Sequence, residues 1–133
     1  MTTWNLEGTV CHLLVCGGSS CRKRRGEEVL KAVEKEIGKQ GADARIHVTE
    51  TRCNGRCSDA PVAIAYPEGV WYGGLTPKAG KELVRRTLEG GGLEEYAVYN
   101  FEAGSMKAAV KKGGRGKRKP GKKDSPDSYP PVP

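Results

Sequence analysis

The chain is poor in histidine and aromatic residues: two His, one Phe and two Trp in 133 residues. It also has no apolar run near the roughly 18 residues that cross a bilayer, so no membrane span is expected. Met1-Thr-Thr-Trp-Asn-Leu-Glu7 has no basic n-region, and no signal-type apolar core follows it. A cytoplasmic protein is therefore expected, in a compartment where thiols stay reduced and clustered cysteines serve metals or redox chemistry. There is no Cys-x-x-Cys, which removes the usual thioredoxin dithiol and the two-residue zinc knuckle. His12 and His47 fall inside apparent strands and are not paired with cysteines, so Rieske-type ligation is unsupported. No phosphate-binding glycine loop, Cys/His/Asp grouping or carboxylate pair in an expected cleft suggests substrate turnover, and the protein is not expected to be an enzyme.

Five cysteines are present, four of them in two short-spaced pairs: Cys16-Gly-Gly-Ser-Ser-Cys21 and Cys53-Asn-Gly-Arg-Cys57. Four thiolates on glycine-bearing loops suit an iron–sulfur centre, because glycine lets backbone N–H groups approach sulfur. They also suit a structural zinc site, since zinc takes four cysteines in pairs of similar spacing. A thiol–disulfide module built on Cys16 and Cys21 is a third possibility. Cys11-x4-Cys16 repeats the spacing of Cys16-x4-Cys21. Strand alternation, however, sends Cys11 and Cys16 to opposite faces, so Cys11 is assigned to packing.

The cysteine loops sit at element ends. Cys11–Cys16 is a short apolar run stopped by Gly17 and Gly18, which reads as a buried strand. A helix follows, with Val29, Leu30, Val33 and Ile37 on one stripe, and Gly38 and Gly41 are expected to end it. Residues 44–49 alternate as a second strand leading into Cys53. Residues 62–66 and 70–72 form two strands joined by the turn Pro67-Glu68-Gly69. Thr76-Pro77 opens a second helix with Ala79, Leu83, Val84 and Leu88 on its apolar stripe. Residues 93–101 are expected to pack as an irregular segment. The order β-α-β-β-β-α predicts an α/β fold of thioredoxin-like plan, with a mixed four-stranded sheet and two helices. A strand–helix–strand unit implies parallel first and second strands. Both cysteine loops would then emerge at one carboxyl edge, where open α/β sheets place ligands.

Charge divides the chain differently. Residues 1–106 hold 14 Lys/Arg and 14 Asp/Glu, whereas residues 107–123 hold nine basic residues and no acidic one. The net +7 therefore belongs to the tail. We read 1–106 as the folded domain and 107–133 as a disordered basic Gly/Pro-rich tail. The run Lys111–Lys119 could contact nucleic acid through its charge, but it has no interleaved aromatics for base stacking. Arg22 to Arg25, with Arg52 and Arg56, read either as a basic collar beside the cysteines or as solvated surface.

The stretches HLLVCGGSSCRKRRGEEVLKAVEKEI and VTETRCNGRCSDAPVAIAYPEGVWYGGLTPKAGKELV resemble the thioredoxin-like 2Fe-2S ferredoxins. The same fold occurs in the small peripheral iron–sulfur subunit of respiratory complex I. The resemblance covers about residues 11–90 and rests on Cys-x4-Cys, Cys-x-Gly-x-Cys and the Ala-Pro-x4-Tyr-Pro-Glu-Gly-x-Trp-Tyr hairpin. It implies that Cys16, Cys21, Cys53 and Cys57 ligate a 2Fe-2S cluster. It also implies a homodimer that passes single electrons between redox partner proteins. The alternatives are a four-cysteine zinc-stabilised interaction module with a nucleic-acid-binding tail, and the thiol redox module.

Overall fold

A computed structural model describes residues 3–109 and residue 119. Among the described residues the chain forms one sheet of order β2-β1-β3-β4-β5-β6. Its strands are β1 (Cys11–Cys16), β2 (Ile46–Thr51), β3 (Ala63–Tyr66), β4 (Val70–Tyr72), β5 (Ala97–Glu102) and β6 (Ser105–Ala108). β1 and β2 are parallel, with Cys16 opposite Thr51, and the remaining neighbours are antiparallel. The mixed α/β plan is as expected.

Helices α2 (Gly26–Lys39) and α3 (Pro77–Leu88) lie together over one face. Val29, Val33 and Ile37 from α2, with Ala79, Leu83 and Val84 from α3, meet Leu13, Val15, Ala63 and Ala65 of the sheet in the main core. Full burial of each large aliphatic side chain here contributes about 1.5–3 kcal/mol. The helices touch closely at Gly80, where a Cβ would stand 3.1 Å from Val33 Cγ2. The start of α3 is as read from sequence: the Thr76 hydroxyl accepts the Ala79 N–H at 3.0 Å, and Pro77 takes the first helical position.

Three details depart from expectation. A five-residue helix α1 (Ser19–Lys23) precedes α2, separated from it by Arg25 at φ 70. The turn at Arg25 brings Gly26 onto Cys21, where a Cβ would stand 2.7 Å from the Cys21 carbonyl oxygen. The sheet is wider than four strands, since the segment expected to be irregular forms β5 and pairs with β6. The connecting residues Ala103 and Gly104 both have positive φ, 50 and 87, as in the tight turns that match strand twist. An Ala-Gly turn lacks the Asn-Gly signature that marks such hairpins in sequence. Lastly, β6 runs past residue 106 and ends at Ala108. The basic tail lies outside the described residues apart from residues 107–109 and Lys119.

Candidate metal centre

The parallel pairing of β1 and β2 brings both cysteine loops to one edge of the sheet. Gly17 N–H donates to the Thr51 carbonyl at 2.7 Å and Cys16 N–H to the Val62 carbonyl at 3.0 Å, which fix the first loop against the ends of two neighbouring strands. Neither Gly17 nor Gly18 can carry a side chain as placed. A Cβ on Gly17 would lie 2.8 Å from the Thr51 carbonyl oxygen, and one on Gly18 would lie 3.0 Å from Cys53 Cα. The second loop turns at Gly55, φ 81, whose N–H donates to Cys53 Sγ at 3.3 Å. Asn54 ties the same loop down through Nδ2 to Thr51 Oγ1 at 2.7 Å and to the Arg52 carbonyl at 3.2 Å.

Cys16, Cys21, Cys53 and Cys57 all line one small cavity, which is also bordered by Gly18, Asn54, Arg56 and Val62. Cys16 and Cys21 are buried, in a second apolar cluster with Ala60, Val62 and Ile64, against which Leu14 and Trp71 pack. Cys53 and Cys57 are exposed, with their sulfurs 3.5 Å apart. The four cysteines thus form two pairs, one facing the protein and one facing solvent.

Electrostatics reinforce the pairing. Burial works against ionisation of Cys16. Hydrogen bonds from the Gly18 N–H, the Cys21 thiol and the backbone and side-chain amides of Asn54 outweigh it and draw the thiol below its ordinary range. Cys21 is pushed up to about 11, first by burial and then by sharing its hydrogen with Cys16 and by the nearby Cys16 and Cys57. A metal bound here would take both sulfurs as thiolates, since a coordinating thiol is deprotonated outright.

The other sequence candidates separate cleanly. Cys11 sits 2% exposed in the main core, on the face opposite Cys16. Its thiol is pushed up to about 12 by burial and by the Glu68 carboxylate, so it behaves as a packing residue. His12 and His47 meet at 4.9 Å between ring centroids, and His12 Nε2 lies 2.8 Å from Thr49 Oγ1. Tyr72 is core, its hydroxyl accepting the Leu93 N–H at 3.3 Å, while Trp71 packs beneath the cysteine edge.

The basic collar needs correction at one position. Arg56 does not face solvent: both its Nε and an Nη contact Asp59 Oδ2 at 2.7 Å, and its guanidinium lies 5.1 Å from the Tyr99 ring centre. Asp59 and Tyr99 are site residues that sequence reasoning misses. The Arg-x-x-Asp spacing inside the second cysteine loop is the available sign of the first.

The donor set is all sulfur, soft and borderline-soft in preference, which suits iron–sulfur clusters or zinc. Among the described residues no three His, Cys, Asp or Glu side chains gather where a single metal ion would sit.

The model of the thioredoxin-like 2Fe-2S ferredoxin family matches residues 4–88. A provisionally named 2Fe-2S ferredoxin of Priestia megaterium is 46% identical over 103 residues, covering 77% of this chain and 80% of that protein. One subunit of the NADH-quinone oxidoreductase of Rhizobium meliloti is 29% identical over 91 residues, covering 65% of this chain and 32% of the other. Among solved structures, the wild-type thioredoxin-like 2Fe-2S ferredoxin of Aquifex aeolicus superimposes with a TM-score of 0.62. It is 29% identical, with 68% of this chain and 97% of that one covered.

Proposed function

The chain belongs to the thioredoxin-like 2Fe-2S ferredoxin family, and on that premise we propose that Cys16, Cys21, Cys53 and Cys57 hold a 2Fe-2S cluster and that the protein carries single electrons between redox partner proteins. The observation that carries this reading is the convergence of the four cysteines, from two loops far apart in sequence, on one cavity. When bound there, the cluster supplies a one-electron couple whose potential depends on burial and hydrogen bonds to sulfur.

The residues divide that work. Cys16 and Cys21 hold the inner side, sealed from water by Val62, Ile64 and Trp71. Cys53 and Cys57 hold the outer side and, being exposed, form the edge where electrons enter and leave. The Gly55 N–H aimed at Cys53 Sγ stabilises negative charge on that sulfur and so favours the reduced state. Among the described residues no group lining the cavity is arranged to turn over a substrate, and the protein is read as a carrier and not an enzyme.

Two finer statements belong to the same proposal. The protein is cytoplasmic, in keeping with five free cysteines and with the absence, among the described residues, of a helix long and apolar enough to cross a membrane. It is also a homodimer. This is supported by the sheet face turned away from α2 and α3, where Tyr66, Phe101 and Met106 are exposed beside half-buried Trp71.

Anaerobic titration with dithionite tests the carrier role: one electron taken up per cluster and returned on oxidation is expected. A centre that bleaches irreversibly would contradict the role.

A further inference from the structure

The exit edge carries a charge pattern that specifies a partner. We propose that the rim of the cysteine site is a positively charged docking surface for the acidic face of a redox partner protein, a role that rests on the ferredoxin reading.

Residues 16–26 and 51–59, the two segments that build the rim, contain six basic residues and one acidic residue, Asp59. The rest of residues 1–106 holds eight basic and thirteen acidic residues, so a domain that is neutral overall carries its basic excess in these two segments. Three of the six charges are already offset: Arg56 by Asp59, Arg25 by Glu28, and Arg22 by Glu50 at 3.9 Å. The other three, Lys23, Arg24 and Arg52, are exposed and have no ion-pair partner among the described residues.

Their positions follow from the fold. Lys23 and Arg24 end α1, whose Cys21 lines the cavity, and Arg52 immediately precedes the exposed Cys53. Arg24 shares a surface depression with Ser58 and Asp59 of the 3-10 turn Cys57–Asp59, so the end of α1 lies beside the second cysteine loop. Unpaired charges of one sign around an exposed reactive edge steer an oppositely charged partner and orient it on encounter. Such steering weakens with salt, because the screening length falls from about 30 Å at 0.01 M to 3 Å at 1 M.

The test compares the cluster-loaded full chain with its Lys23→Glu/Arg24→Glu/Arg52→Glu variant, the visible spectrum and midpoint potential of each being recorded first. Dithionite-reduced protein is mixed by stopped flow with ferricyanide, an anionic oxidant, and with hexaammineruthenium(III), a cationic one, over the same salt range. At low salt the variant should react with ferricyanide about tenfold more slowly than the parent. It should react faster with hexaammineruthenium, and the two proteins should converge at high salt. Equal low-salt ferricyanide rates for parent and variant would overturn the proposal, as would equal slowing with both oxidants, which reports a change in driving force. Failure of the parent to show any cluster spectrum would instead count against the ferredoxin reading itself.

Discussion

Gly18 lies directly against Cys53: a Cβ built on the glycine would stand 3.0 Å from both Cα and Cβ of the cysteine. This contact joins the two halves of the site. The first loop supplies no side chain at Gly18, so the second can settle into the space, and four sulfurs come to one cavity. Alanine at this position would press its methyl group on Cys53 Cα and Cβ, so the two loops must part by a few tenths of an ångström. Gly18→Ala is expected to fold but to hold iron poorly, with well under half the parent's iron per chain after anaerobic purification. Full iron occupancy would show that the loops adjust.

Gly38 provides the contrast: it reads as a helix end in the sequence, but α2 runs through it to Lys39. It lies exposed within α2, and a methyl group placed on its Cα would meet nothing within 4 Å. Its φ is not positive, so alanine fits the helix and removes glycine's extra freedom in the unfolded chain. Gly38→Ala should raise stability by about 0.5–1 kcal/mol in denaturant unfolding and leave the visible spectrum unchanged.

Cys11 and Cys57 should respond oppositely to serine. Cys11 is core, and its replacement leaves all four cavity-lining cysteines in place. Cys11→Ser should therefore keep iron and sulfide at parental levels while costing about 1–3 kcal/mol for the buried hydroxyl. Cys57→Ser should lower cluster content or alter the spectrum. Loss of the cluster in the Cys11 variant would return that residue to the ligand set.

Arg56 and Asp59 form a buried ion pair beside the cavity, with side chains 14% and 3% exposed. Removing one charge leaves the other poorly compensated. Asp59→Asn should cost roughly 3 kcal/mol of stability. It should also raise the midpoint potential, because it deletes a negative charge near a centre that becomes more negative on reduction. Arg56→Gln should lower the potential. Potentials measured by dye-mediated titration decide the matter: shifts of opposite sign indicate an electrostatic origin, and shifts of the same sign indicate rearranged loops.

Much of this site is legible in the amino-acid sequence. The period of two in β1 places Cys11 and Cys16 on opposite faces, as the fold does, because alternation is fixed by backbone geometry. The β-α-β order anticipates parallel β1 and β2, and with them the shared edge. Side-chain pairing across long separations is not legible. The inward turn of Arg56 depends on the ring of Tyr99, carried by a strand that enters the sheet much later in the chain. β5 and β6 escape notice because their turn uses Ala103, a residue that rarely takes positive φ. Helix α1 escapes it because five residues are too few for a periodic signal.

Whether four cysteines in two pairs hold a two-iron centre is decided by the visible absorption of anaerobically purified protein, with iron, acid-labile sulfide and zinc determined on the same sample. A reddish-brown protein with about two irons and two sulfides per chain, bleached by dithionite, is the expected result. A colourless protein with stoichiometric zinc, still without a cluster after reconstitution with iron and sulfide, would rule the two-iron centre out.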